Sequence, residues 1–200
     1  MNGQREAWDA LYSTQGRPWR GVTEISWTGV VSGMKVLDLG CGNGKTSEAL
    51  LDIGAEVTGI DFSQPAVDSC INRFGDKARF VCGDVCKLPF DDNGFDAVFA
   101  FHVLEHLTEP ELETAVSEIG RVLRPGGRVC LKCFAEGDMR SEGKAESVRN
   151  GILYRYFTEE QVRSVFSDFD MGSFMPVTEK TRFGTYRKRF ECVFFKSTSA

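Results

Sequence analysis

Histidine is nearly absent: the 200 residues hold two, His102 and His106. They fall in HVLEH, which spells the inverted zinc-peptidase signature H-x-x-E-H. That site needs both histidines one turn apart on a helix and a third ligand elsewhere, whereas His102 falls at a strand end, so no metal is expected. Long apolar runs are also lacking, since charges interrupt every stretch well short of the roughly 18 residues of a membrane span. The opening MNGQREAWDALYS has no apolar signal core, which makes the cytoplasm the expected location. Positive charge is in deficit, with Lys plus Arg 24 against Asp plus Glu 29 and a net charge of −5. No general phosphate-coating surface follows from that balance, and nothing prompts a nucleic acid partner. Repeats, low-complexity tracts and linkers are missing too, so at roughly 100–200 residues per domain the chain reads as one domain. Cysteine is the exception, at seven. An odd count without an export signal reads as reduced thiols, mostly buried small hydrophobes. Cys130 and Cys133 have C-x-x-C spacing, but in a strand they point to opposite faces, so no redox or metal role is expected.

What is present is an alternation of strand and helix signals, the pattern of a parallel sheet. Strands are expected at 34–39, 55–60, 78–82, 95–101 and 127–134, with helices over about 45–53 and from Ser63 to about Phe74. Thr108-Glu-Pro-Glu111 is a capping box opening a helix that ends before Pro125-Gly126-Gly127, and Thr158-Glu-Glu-Gln161 is a second. Residues 135–157 are polar with little periodicity and read as a lid. Two last strands, about 168–177 and 186–196, form a hairpin that adds an antiparallel edge. The division expected is a 1–33 cover, a 34–134 core, the 135–157 lid, and a 158–200 helix and hairpin.

The densest signal is Asp38-Leu-Gly40-Cys-Gly42-Asn-Gly44, where the first strand gives way to a helix. Glycine there lets backbone approach a ligand, and the helix start offers free N–H groups. The G-x-G-x-G spacing departs from the dinucleotide fingerprint G-x-G-x-x-G, which counts against a nicotinamide cofactor. Asp61 ends the second strand, 21 residues after Gly40, where a carboxylate accepts ribose hydroxyls, and Gly83-Asp84 follows the third. Singly, each aspartate is a common turn or cap residue. Acidic residues at successive carboxyl ends of an open sheet mark the edge where such sheets bind ligands.

At these residues the chain resembles the class I S-adenosylmethionine-dependent methyltransferases of the small-molecule branch. The matching segments are VLDLGCGNG (36–44), VTGIDFS (57–63), GDVCKLPFDDNGFDAVFAFHVLEHL (83–107) and LRPGG (123–127). The resemblance implies a Rossmann-like α/β fold, doubly wound, with seven strands, mostly parallel, and one reversed strand in the C-terminal hairpin. It implies S-adenosyl-L-methionine as cofactor and a small-molecule methyl acceptor. By the same token Asp38 and the backbone of Gly40 and Gly42 hold the methionine end, Asp61 the ribose and Phe62 the adenine face. Asp84 with Val85 takes the adenine edge, and Phe101 also lies against the cofactor. His106, in the family's recurrent glutamate-histidine pair, is the expected base, with Glu105 and His102 as neighbours and simple packing as its alternative.

Trp8, Tyr12 and Trp19 are interleaved with Arg17 and Arg20 near the start. Trp8 and Tyr12 share a helical face, either packing that helix or covering the sulfonium with Tyr12 and Trp19. Residues 176–200 carry six Lys and Arg against two Glu, a local +4 in a chain of −5. Read as function rather than a solvated face, Arg155 in the lid and Arg182 in the hairpin meet an anionic acceptor. Competing functions are methylation of RNA or protein through the basic hairpin, and donor binding without turnover. The D-P-P-Y or N-P-P-Y turn of many adenine and amide methyltransferases is replaced by AFHVL, which favours small molecules.

Overall fold

The computed structural model describes residues 2–15, 18, 19, 21 and 23–198. One sheet of seven strands organises them, in the order β3-β2-β1-β4-β5-β9-β8. The strands are β1 (Lys35–Leu39), β2 (Glu56–Asp61), β3 (Arg79–Cys82), β4 (Phe95–Phe101), β5 (Leu123–Phe134), β8 (Phe169–Lys180) and β9 (Tyr186–Lys196). Strands β1 to β5 pair in parallel, β9 runs antiparallel to β5, and β8 pairs antiparallel with β9. The doubly wound sheet with one reversed strand is the architecture the motifs imply.

The alternation of β4 shows why these residues make a central strand. Val98 and Ala100 face one apolar layer while Ala97, Phe99 and Phe101 face the other. Both faces are covered by helices, so a near-continuous apolar run is what the position requires. Cys133 and Cys130 on β5 likewise go to opposite layers. Helix α4 (Glu109–Val122) opens on the Thr108–Glu111 capping box and buries Leu112, Ala115, Val116, Ile119 and Val122 at helical period. Helix α5 (Glu159–Val165) opens on the second box, the Gln161 N–H donating to the Thr158 hydroxyl at 3.1 Å. Helices α2 (Lys45–Asp52) and α3 (Gln64–Phe74) follow β1 and β2.

Two expectations need correction. Strand β5 begins at Leu123, directly from α4, because Leu123 already pairs with Phe95 ahead of the irregularity at Asp96. The 135–157 segment is not a featureless lid: β6 (Glu146–Arg149) and β7 (Ile152–Arg155) form a hairpin. Asn150 and Gly151 at its tip both have positive φ, 51° and 81°. Asn-Gly is the two-residue turn whose twist suits a hairpin, and its meaning was there in the sequence.

Helix α1 (Asn2–Gln15) lies over α3 and the hairpin, with Trp8 and Tyr12 packed on Ala66 and Ile152. Gln4 pins it at two points: its amide donates to the His106 carbonyl at 2.9 Å and its oxygen accepts from the Leu153 N–H at 2.8 Å. Ser63 adds a third tie, its hydroxyl donating to Asp9 at 2.6 Å. No helix among the described residues is long and apolar enough to cross a membrane.

Candidate active site

Strand order reverses between β1 and β4, and the crevice at the carboxyl ends of strands beside such a point is where open α/β sheets take ligands. An open cavity sits there. Gly40, Asp61, Phe62 and Val85 contribute from β1, β2 and the turn after β3, His102, Val103, His106 and Leu107 from the end of β4, and Gln4, Trp8 and Tyr12 from α1.

Gly40 has φ +66°, and a Cβ there would lie 2.6 Å from Val103 Cγ2. Gly42, at φ +52°, has Tyr12 against it, with the hydroxyl 2.5 Å from where a Cβ would be. The loop is therefore glycine both for its left-handed turns and for close approach. Asp61 is held rigidly: one oxygen accepts from the Gly42 N–H at 2.8 Å and the other from the Ser63 N–H at 2.9 Å. Burial pushes its carboxyl up to about 6 despite those two donors. Asp38 is more deeply buried and accepts the Ser47 hydroxyl at 2.5 Å, and burial raises it to about 7. Burial, with the Asp61 charge next in effect, raises the Tyr12 phenol. Phe62 has the Arg5 guanidinium over its ring at 5.5 Å.

The two histidines occupy different environments. His106 is enclosed, with Trp8 and Tyr154 edge-on at 5.0 Å each. Its Nδ1 lies 2.6 Å from the Leu153 carbonyl. A carbonyl only accepts, so Nδ1 carries the proton and Nε2 is bare in the neutral ring. Burial lowers its pKa. His102 adopts φ +56°, yet its N–H still bonds the Lys132 carbonyl at 2.8 Å. Its Nδ1 is 2.7 Å from Glu105 Oε1.

Of the residues expected at the site, Tyr12, Gly40, Asp61, Phe62, Val85 and His106 line the cavity. Others do not. Asp38 lies behind the loop, bonded to Ser47, and Gly42, within the loop, is covered by Tyr12 and donates its N–H to Asp61. Asp84 is engaged in its own turn, accepting the Cys86 N–H at 2.8 Å. Phe101 points to the opposite sheet face, stacked on Trp27 at 5.8 Å with Lys132 Nζ 4.7 Å above it, because strand alternation puts it there. Trp19 is half exposed outside the cavity, its carbonyl accepting from Asn43 at 2.7 Å. Arg155 turns away to a groove between α4 and α5 and pairs with Glu146 at 2.9 Å. Arg182 sits at the exposed tip of the β8–β9 hairpin over Phe183. Neither arginine lines the cavity, because each sits on a turn or strand face directed elsewhere. Arg17 and Arg20 lie outside the described residues. Gln4 and Val103 were missed, having no signal beyond their place in the fold. Among the described residues, no group of three or more His, Cys, Asp or Glu is gathered to hold a metal ion.

Residues 37–131 match the family described as methyltransferase domain. The chain is 45% identical over 105 residues to sterol 24-C-methyltransferase ERG6B of Gibberella zeae, covering 50% of this chain and 27% of that protein. It is 37% identical over 127 residues to demethylmenaquinone methyltransferase of Renibacterium salmoninarum, covering 64% and 52%. The chain thus spans about a quarter to a half of the length of these curated relatives. A solved S-adenosylmethionine-dependent methyltransferase from Methanosarcina mazei superposes with a TM-score of 0.77 at 23% identity, over 89% of this chain and 99% of that one. With its motifs in order and the reversed-strand sheet beneath them, residues 37–131 are a methyltransferase domain on the fold of the S-adenosylmethionine-dependent methyltransferases.

Proposed function

We propose that this protein transfers a methyl group from S-adenosylmethionine to a small-molecule acceptor. The observation that carries the reading is the pairing, on one cavity wall, of a glycine with no room for a Cβ and a buried carboxylate fixed by two backbone N–H groups. That wall fits the donor. Gly40 admits its amino-acid end, Asp61 accepts from the ribose hydroxyls, Phe62 meets the adenine face and Val85 the adenine edge. Asp38, behind the loop, contributes its charge to the ammonium's field. When bound, the donor supplies an electrophilic methyl group, and the acceptor's lone pair makes the new bond as the carbon–sulfur pair passes to sulfur. The protein's part is alignment and exclusion of water. Trp8 and Tyr12 roof the cavity from α1, and His106 closes the wall beneath them.

Two observations support a small acceptor over nucleic acid. The cavity wall is mainly aromatic and aliphatic. The basic hairpin is partly neutralised by its own glutamates, Arg189 pairing with Glu179 at 2.9 Å and Glu191 at 2.8 Å. The seven free thiols suit a reducing compartment, the cytoplasm. Titration calorimetry with S-adenosylhomocysteine tests the reading: stoichiometric binding is expected, and Asp61→Ala is expected to weaken it by about 1.5–3 kcal/mol, the worth of a hydrogen bond to a charged acceptor. Absence of heat and of any melting shift at millimolar ligand would refute it.

A further inference from the structure

Resting on that reading, we propose that His102 is the base that takes the acceptor's proton, that Glu105 positions it, and that the acceptor is a hydroxyl compound still protonated at neutral pH. The Glu105 side chain is fully buried, while that of His102 is 39% exposed and faces the cavity. Glu105 Oε1 holds His102 Nδ1 at 2.7 Å, and Oε2 has no hydrogen-bond partner at all. A carboxylate left half-satisfied in an apolar interior is costly. Here it is placed where a positive charge on the adjoining ring offsets that cost. Since the carboxylate accepts, Nδ1 donates, and His102 Nε2 is the bare nitrogen.

The ring is further fixed by Phe134, 4.6 Å away and tilted 32°. Its backbone holds a left-handed φ, uncommon outside glycine, which turns the ring from the strand end toward Glu105. His106 offers a bare Nε2 too, but its partner is a neutral carbonyl and its ring is enclosed by Trp8 and Tyr154. The Glu105 charge reaches His106 as well, but only His102 is hydrogen-bonded to it, the arrangement by which a buried carboxylate serves a catalytic histidine. In the step, the acceptor O–H bond breaks and its proton joins Nε2. The electron pair stays on oxygen as the nucleophile, the imidazolium charge faces Glu105, and the proton then leaves to water. Carboxylate acceptors are excluded because they carry no proton to remove.

The titratable groups near this pair are His106, the Cys133 thiol, Tyr154, and Arg140, which stacks on Phe134 at 4.5 Å. With only two histidines in the chain, nitrogen-15 NMR of the imidazoles reads both without ambiguity, and His102→Gln assigns them. In protein saturated with S-adenosylhomocysteine, His102 is expected as the Nδ1–H tautomer with Nε2 bare. Glu105→Gln, which keeps an acceptor oxygen but not the charge, is expected to slow methyl transfer to the acceptor about tenfold while leaving S-adenosylhomocysteine affinity unchanged. An Nε2–H tautomer in the unmodified protein, or methyl transfer unslowed by Glu105→Gln, overturns the assignment; the tautomer decides it even if Glu105→Gln does not fold. Methyl-labelled donor incubated with fractionated cell extract gives the acceptor class. Label stable to mild alkali is expected, and an alkali-labile methyl ester overturns the hydroxyl. Failure of the methyltransferase reading looks different, as no S-adenosylhomocysteine binding at all.

Discussion

Asp38→Asn is expected to make the protein more stable relative to wild type at pH 8 than at pH 5, by about 2–3 kcal/mol. The substitution keeps the side-chain shape and an oxygen for the Ser47 hydroxyl while removing a charge from a site with 2% exposure. In the unfolded chain an aspartate titrates near 3.9. In the fold, desolvation raises Asp38 to about 7, the Ser47 bonds partly opposing it and the Asp61 charge adding to it. The folded protein therefore holds this proton more tightly than the unfolded chain does. The stabilising contribution is whole below about pH 4 and is lost as pH rises through about 7. Between pH 5 and 8 about two units of that window are crossed, at about 1.36 kcal/mol per unit. Urea denaturation of both proteins at the two pH values measures the effect as a double difference, in which the buried amide's own desolvation cancels. Equal differences at pH 5 and pH 8, within about 0.5 kcal/mol, would show that Asp38 ionises in the fold without penalty. That would remove the physical basis for treating it as a buried charge awaiting a cationic partner.

Gly40→Ala is expected to lower stability by about 2–4 kcal/mol, combining left-handed strain with overpacking against Val103, and to abolish S-adenosylhomocysteine binding. A calorimetric titration indistinguishable from wild type would refute the close-approach role. Gln4→Ala removes two of the three ties of α1 at once and leaves the Leu153 N–H unpaired, so hydrogen exchange should quicken at Leu153 and through residues 2–15 with the sheet core unchanged. Unaltered exchange there would mean that Trp8, Tyr12 and the Ser63–Asp9 bond hold the roof without Gln4.

Local rules carried the reading of the sheet a long way. Period-2 runs such as FDAVFAF, the two capping boxes and the glycine loop are short-range signals whose physics is complete within a few residues. Asp61, Phe62 and Val85 come to the cavity because each follows the carboxyl end of a parallel strand, which chain order already orders along one edge. Reading failed where a face had to be chosen. Phe101 is one residue from His102 yet serves the opposite layer, and only the pleat of β4 decides that. Arg155 and Arg182 were judged by charge, whereas strand register and hairpin length direct them away from the cavity. The Glu105–His102 contact was out of reach for a different reason: it depends on a single left-handed residue that no sequence period encodes.

The three ties of α1 also bear on how the chain acquires its site during synthesis. Gln4 contacts partners 102 and 149 positions later, at His106 and Leu153. A segment made early thus finds its berth only after the β6–β7 hairpin has emerged. Until then its aromatic face, Trp8 and Tyr12, has nothing to settle on but Ala66 and the unroofed cavity itself. Closing so wide a loop is an entropic burden that falls late, after the sheet has condensed. Nascent chains ending before Leu153 hold the glycine loop and Asp61 but lack the anchor for their cover, so the roofed cavity is completed only once the β6–β7 hairpin has been made.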